Sequence, residues 1–273
     1  MRAIRDATSF AGIGAIGIAA ALWPAAAQTS PTSGSAIDPA VIEDLVVANR
    51  ILADQGVLDG LGHVSIRHPT NPSRYLMSRS LAPALVTPDD IMEYDLDSNP
   101  VDAKGRSSFI ERFIHGEIYK LRPDVTAVIH SHSPSVIPFG ISQVPMRATY
   151  VMASFLAAGV PVFDIRKAGS AGDLLVRNAQ FGKALAETLG DKNVVLMRGH
   201  GEAVVAASLQ MVVLRGIYTE INARLQMQAI MLGGPLTYLD PEEGQKNEAN
   251  LEVAKARSWD LWKREAMEKM TAK

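Results

Sequence analysis

The chain has 273 residues, a formal charge of −2 and a hydrophobic fraction of 47%, with 21% charged residues and no cysteine. That is enough apolar material for a large core, and it excludes global disorder, disulfides and thiolate metal ligands. The near-neutral charge, without a long basic run, gives no reason to expect nucleic acid or an anionic membrane as a partner.

The first residues differ from the rest. Arg2 and Arg5 precede a small apolar stretch from Phe10 to Leu22, and Ala25-Ala26-Ala27 then offers an Ala-x-Ala site. This is the form of a secretory signal peptide over residues 1–27, cleaved after Ala27, which predicts an exported, periplasmic protein. An uncleaved tail on a cytoplasmic protein is the alternative. The apolar stretch is short for a membrane-spanning helix. Residues 28–37, rich in Ser, Thr and Pro, read as a linker, and residues 38–273 as one domain.

Asp38-Pro39 predicts a helix start, with Asp as N-cap and Pro at the first position, and Gly56 predicts its stop. His63 to Arg67 and Arg74 to Ser78 read as a hairpin-like pair of short strands. The cluster Ser78-Arg79-Ser80 follows. From pattern alone Arg79 is as much a solvated loop charge as a functional cation. A further strand is expected at Ile91–Tyr94. Ser107-Ser108 is read as opening a helix in which Glu111, Ile114, His115 and Ile118 share a face. Ser108-x-x-Glu111 also has the form of a capping box, so Glu111 has a structural reading beside a catalytic one. His115 reads as a packing or supporting residue.

Further along, helical stretches are expected around Val136–Ile141 and Thr149–Ala158, and a strand over Val160–Ile165. A helix over Ala179–Leu189 should lead into a strand at Asn193–Met197. A long helix is expected over Leu209–Leu232, and an amphipathic helix from Glu242 to Met270 whose Trp259 and Trp262 serve packing or subunit contact. Strands cluster without strict βαβ alternation. The predicted fold is therefore α/β: a three-layer α/β/α sandwich around a mixed, mainly antiparallel sheet.

The most informative stretch is Ala127-Val128-Ile129-His130-Ser131-His132. Side chains at i and i+2 of a strand point the same way, so a strand running through His132 presents two imidazoles to one space. The apolar run Asn193–Met197 is likewise followed by Arg198-Gly199-His200-Gly201. Three histidines at strand ends predict a divalent metal site with an open position, which marks a catalytic rather than a structural ion. Without thiolates, the imidazole set suits Zn2+, with Mn2+ as the alternative.

These residues in this order resemble the class II aldolase/adducin family. The markers are Glu111-Arg-Phe-Ile-His115-Gly-Glu-Ile-Tyr119, then Arg122-Pro123-Asp124-Val125 leading to His130-Ser-His132-Ser, then Arg198-Gly-His200-Gly, within a similarity running from about Val41 to Leu232. The resemblance implies the same three-layer fold and metal binding by His130, His132 and His200. It also implies Glu111 as acid/base, and a homotetramer with active sites at subunit junctions. It implies a small-molecule substrate and a carbon–carbon lyase.

Sugar-phosphate aldolases of the family usually carry Gly-Asn-x-Ser where this chain has Gly62-His63-Val64-Ser65, and a phosphate loop where it has Ser78-Arg79-Ser80. They also place Ser-Ser directly before the glutamate. His63 and Arg79 look more like the branch that decarboxylates hydroxylated aromatic or pyridine dicarboxylates, since a guanidinium pairs well with a flat carboxylate. His63, Ser78, Arg79 and Ser80 are thus the expected substrate contacts. A sugar-phosphate aldolase is the first alternative, and an adducin-like scaffold without catalysis the second.

Overall fold

The computed structural model describes residues 37–169 and 172–272. The expected leader lies outside these residues, as does all of the linker but Ile37.

The first helix, α1 (Pro39–Asp54), begins as anticipated: the Asp38 carboxylate accepts from the Ala40 amide, Pro39 needs no donor of its own, and Gly56 turns the chain away at φ +71°. The remaining elements are β1 (His63–Arg67), β2 (Arg74–Ser78), β3 (Ile91–Asp95), α2 (Phe113–Leu121), β4 (Ala127–Ser131), α3 (Ile137–Ile141), β5 (Val162–Phe163), α4 (Ala179–Leu189), β6 (Val194–Met197), β7 (Gly201–Ala206), α5 (Leu209–Leu232) and α6 (Pro241–Thr271). The strands form one seven-stranded sheet in the order β3-β2-β1-β4-β7-β6-β5. Every neighbouring pair is antiparallel except β5 with β6.

Strand alternation sorts the core into two layers. Val64, Ile66, Leu76, Ala127, Ile129, Leu196 and Val204 pack against α1, α5 and α6. Tyr75, Met77, Val128, Val195, Met197 and Val205 face α2 and α4. The architecture is the expected α/β/α sandwich with a mainly antiparallel sheet. Each buried Leu, Ile or Val stabilises it by about 1.5–3 kcal/mol. Trp259 is buried in the first layer, and Trp262 packs against its edge beside Tyr218.

Register places the chemistry. His63 on β1 pairs with His130 on β4, and Ser131 on β4 pairs with Glu202 on β7. Gly201 opens β7 against the backbone of β4. A Cβ at that position would collide with the Ser131 carbonyl, so only glycine lets the two strands meet there.

Several expectations need correction. Ser107-Ser108 does not open a helix. A 3-10 turn spans Ile110–Arg112, and α2 starts at Phe113. The reason is tertiary: the Ser107 carbonyl accepts from the Ser80 amide, and Ser108 Oγ accepts from the Tyr94 hydroxyl. The capping box therefore does not form, and the structural reading of Glu111 falls with it. The strand carrying the first two histidines ends at Ser131, one residue before His132. The strand expected over Val160–Ile165 shrinks to two residues, because the Asp164 side chain accepts from the Arg166 amide and caps a 3-10 turn over Ile165–Ala168. The helical stretch at Thr149–Ala158 is likewise 3-10, over Val151–Leu156. Strand β7 is an addition to the predicted set.

Candidate metal centre and active site

Glu111, His130, His132 and His200 converge, with one ligand atom from each lying within 4.8 Å of the others. His130 comes from the end of β4, His132 from the residue just past it, His200 from the turn between β6 and β7, and Glu111 from the 3-10 turn before α2. Gly199, at φ +65°, makes the turn that swings His200 inward. His130 Nε2 lies 3.3 Å from Glu111 Oε2, His200 Nε2 lies 3.2 Å from the same oxygen, and the Nε2 atoms of His132 and His200 are 3.1 Å apart.

The outer nitrogens decide what the inner ones are. His130 Nδ1 donates to the Glu202 carbonyl at 3.0 Å, His200 Nδ1 to the Leu174 carbonyl at 3.1 Å, and His132 Nδ1 to the Asp59 carboxylate at 3.1 Å. Each neutral ring thus carries its proton on Nδ1 and turns a bare Nε2 lone pair into the shared space. Three lone pairs and a carboxylate oxygen facing one another repel without a cation, and His130 Nε2 is buried with no hydrogen-bond partner among the described residues. The residues present fit a divalent ion: three imidazole nitrogens, one carboxylate oxygen and no thiolate.

The charge balance shows what the space draws in. Burial pushes the Glu111 carboxyl up, but the cationic forms of the facing His130 and His200 rings outweigh it and hold the group well below the usual carboxylate range. Against its burial, Glu111 in turn raises His200, so the four groups together call for positive charge, which an ion would supply. Burial lowers His132 below the usual imidazole value, which suits a neutral ligand. Asp59, which also accepts from the Leu61 and Gly62 amides, stays a carboxylate: burial opposes ionisation, and those amides and His132 prevail.

One loop holds two of the four groups. The Val176 amide donates to Glu111 Oε1 at 2.8 Å, while the Leu174 carbonyl fixes His200. Leu174 adopts a left-handed conformation, φ +66°, which is uncommon for a non-glycine residue and recurs at functional sites.

Beside the four groups opens a cavity of about 250 Å3, with Leu61, Phe109, Ile110 and Leu175 as apolar walls and His63, Ser80, Glu111 and His132 as polar ones. A larger concavity, about 550 Å3, lies at the far end of β1 around Arg67 and Leu209, but no metal-ligating cluster borders it among the described residues. Chemistry rather than size therefore identifies the site.

Of the expected substrate contacts, His63 and Ser80 line the cavity. Ser78 is buried at the end of β2 with an unpartnered Oγ, and Arg79 Nε donates to Asp90 Oδ1 at 2.6 Å. Asp59, Glu202 and the Leu174–Val176 loop were missed. The turn sequence Asp59-Gly60-Leu61-Gly62 is the only local sign of the first. Glu202 is fully buried and accepts from Ser131 Oγ, and burial raises its carboxyl to about 8.

Comparison with known proteins follows the geometry. The class II aldolase and adducin N-terminal domain model matches residues 43–227. The decarboxylase tropJ of Talaromyces stipitatus is 39% identical, over 79% of this chain and 90% of its own length. The 3,4-dihydroxyphthalate decarboxylase of Arthrobacter keyseri is 35% identical, over 71% of this chain and 80% of its own. Among solved structures, L-fuculose 1-phosphate aldolase from Glaciozyma antarctica superposes with a TM-score of 0.71 at 22% identity, over 89% of this chain and 95% of that one. The last likeness concerns the fold alone. The chain belongs to the class II aldolase/adducin family.

Proposed function

We propose that the chain is a divalent-metal-dependent decarboxylase of a hydroxylated aromatic or heteroaromatic carboxylate. The observation that carries this reading is the cavity itself: a space walled by Phe109, Leu61, Ile110 and Leu175 is also lined by Glu111 and His132, the two members of the four-group cluster that it reaches. Apolar walls receive an aromatic ring better than a polyol phosphate. The two decarboxylase relatives support the same choice.

His130, His132 and His200 would hold the ion, with Glu111 able to reach it in the absence of substrate. Zn2+ suits this donor set best, with Mn2+ as the alternative. A bound divalent ion supplies Lewis acidity toward the electrons released when the carbon–carbon bond breaks. Glu111, kept ionised, takes the phenolic proton of the incoming acid and delivers it to the ring carbon that bears the carboxylate; CO2 then leaves, and the electron pair of the broken bond returns through the ring to the phenolic oxygen. The amide of Val176 keeps the carboxylate aimed during both transfers. Ser80 and His63 line the polar side of the cavity, and Arg79, one residue before Ser80 and tethered through Nε to Asp90, would turn its two Nη groups to a substrate carboxylate.

The same reading includes a homotetramer and export after cleavage of residues 1–27. Exposed Met231, Leu232, Val253 and Leu261 on α5 and α6 support association. The test of function is a side-by-side assay of the metal-loaded protein with ortho-hydroxy aromatic acids and with sugar 1-phosphates. CO2 release from an aromatic acid is expected, and Glu111→Gln should stop turnover while metal content stays near one ion per chain. Cleavage of a sugar phosphate with no CO2 from any aromatic acid would hand the assignment to an aldolase.

A further inference from the structure

β1 faces α2 and the 3-10 turn before it through two polar stripes. On β1, His63, Ser65 and Arg67 alternate with the core residues Val64 and Ile66. Opposite them, Glu111, His115 and Tyr119 recur at every fourth residue. Three contacts run inward from the cavity in series. His63 Nδ1 lies 2.7 Å from His115 Nε2, His115 Nδ1 lies 2.6 Å from Ser65 Oγ, and Ser65 Oγ lies 2.8 Å from the Tyr119 hydroxyl. Ser65 and His115 are completely buried and Tyr119 nearly so. The decarboxylation described above uses only the outer end of this series, His63, and only as part of the cavity wall.

Counting protons gives the series a direction. Each of the three contacts holds one proton, and the four neutral groups own four. If the run starts at His63, the spare proton is the Tyr119 hydroxyl's, which has no second acceptor among the described residues. If two runs meet at Ser65, the serine proton is stranded instead. Buried donors are seldom left unpaired. A run starting at Tyr119 strands nothing. Tyr119 donates to Ser65, Ser65 to His115 Nδ1, and His115 Nε2 to His63 Nδ1. The spare proton then stands on His63 Nε2, the ring atom left for the cavity that His63 lines. Both rings are buried, and the partners that they have in the series, each other and a hydroxyl, are uncharged, so neither gains from becoming an imidazolium.

We propose that Tyr119, Ser65 and His115 are positioning residues that hold His63 as its Nε2–H tautomer, so that it donates a hydrogen bond to a carboxylate oxygen of the bound aromatic acid. The proposal rests on the decarboxylase reading for the identity of the acceptor, but not for the tautomer.

The test is the 15N spectrum of the histidine rings in 15N-histidine-labelled holoenzyme at neutral pH, with the His63 signals assigned by their loss in His63→Gln. Nε2 should be protonated and Nδ1 bare. A His63 ring protonated at Nδ1 overturns the proposal. Ser65→Ala leaves His115 Nδ1 unpaired in either direction, so the His63 ring should become a tautomer mixture. KM for the accepted acid should rise about tenfold, with kcat changed less than threefold. Ser65→Thr should restore both, and Tyr119→Phe should keep the tautomer, because Ser65 can still donate to His115 Nδ1. Unchanged ring signals and KM in Ser65→Ala also overturn the proposal. A wild-type protein that releases no CO2 yet carries its proton on His63 Nε2 loses the decarboxylase reading and keeps the relay. An active enzyme with the proton on Nδ1 does the reverse.

Discussion

His130, His132 and His200 differ from their neighbours His63 and His115 in what the outer ring nitrogen meets. In the first set each Nδ1 donates to an oxygen fixed elsewhere in the fold, and the Nε2 atoms are left to face one another. In the second set the rings bond each other, and the series ends in two hydroxyls. The sets almost touch, with the rings of His63 and His130 5.1 Å apart. Burial alone therefore does not make a histidine a ligand. An oxygen acceptor on Nδ1 leaves the other nitrogen with a bare lone pair, able to take a cation, whereas a nitrogen or hydroxyl partner spends the ring on holding a direction.

The largest effect that could break this contrast is loss of a ligand. His132→Ala should abolish stoichiometric metal binding and turnover while the far-ultraviolet dichroism stays native. Stoichiometric metal in that variant, measured by elemental analysis, would contradict the assignment. Next comes Asp59→Asn, which leaves every ligand in place but removes the carboxylate that fixes the His132 tautomer. Metal affinity, read by competition with a chromophoric chelator, should fall about 10- to 100-fold. An unchanged affinity would mean that the 3.1 Å contact with Asp59 is incidental.

The second set is probed by pH. His115 has a folded-state value near 3, below the ordinary value of 6.5, so the unfolded chain binds the proton more readily. Its contribution is present above 6.5 and is lost as pH falls toward 3, about 2 kcal/mol of it between pH 7 and pH 5. Urea unfolding of wild type and His115→Gln at both pH values should show the loss in wild type and a smaller one in the variant. Parallel pH dependence in the two would remove His115 as the cause. The smallest effect tests whether Arg79, which does not line the cavity, reaches the substrate: Arg79→Lys keeps the charge but loses the planar fork, and kcat/KM for the aromatic acid should drop about tenfold. Activity within twofold of wild type would leave Arg79 as nothing more than the partner of Asp90.

Much of this arrangement was legible in the sequence because its signals are local. A histidine pair at i and i+2 after an apolar run, and a third histidine after another such run, report on strand ends without knowledge of the fold. Asp59 could not be read in this way, since it meets His132 across 73 positions and its own neighbourhood shows only a turn. Strand β7 was hidden for a different reason. It lies between β4 and β6 and is buried on both faces, so Gly201–Ala206 lacks the alternation that marks a half-exposed strand. Ser107 and Ser108 misled because a local capping pattern was overridden by contacts to Ser80 and Tyr94 that no short window contains.

Three segments far apart in the chain meet at the four candidate ligand groups: the turn at residues 110–112, the end of β4 and the turn between β6 and β7. An ion that binds there binds only the folded chain, so it acts as a removable clasp across non-consecutive parts of the sandwich. At a free concentration a thousand times its dissociation constant it adds about 4 kcal/mol. For a domain of this size that raises the melting temperature by roughly 10 °C. Heat resistance would then gauge metal supply, and under the proposed metal dependence a shortage of the ion would leave the protein both inactive and easier to unfold.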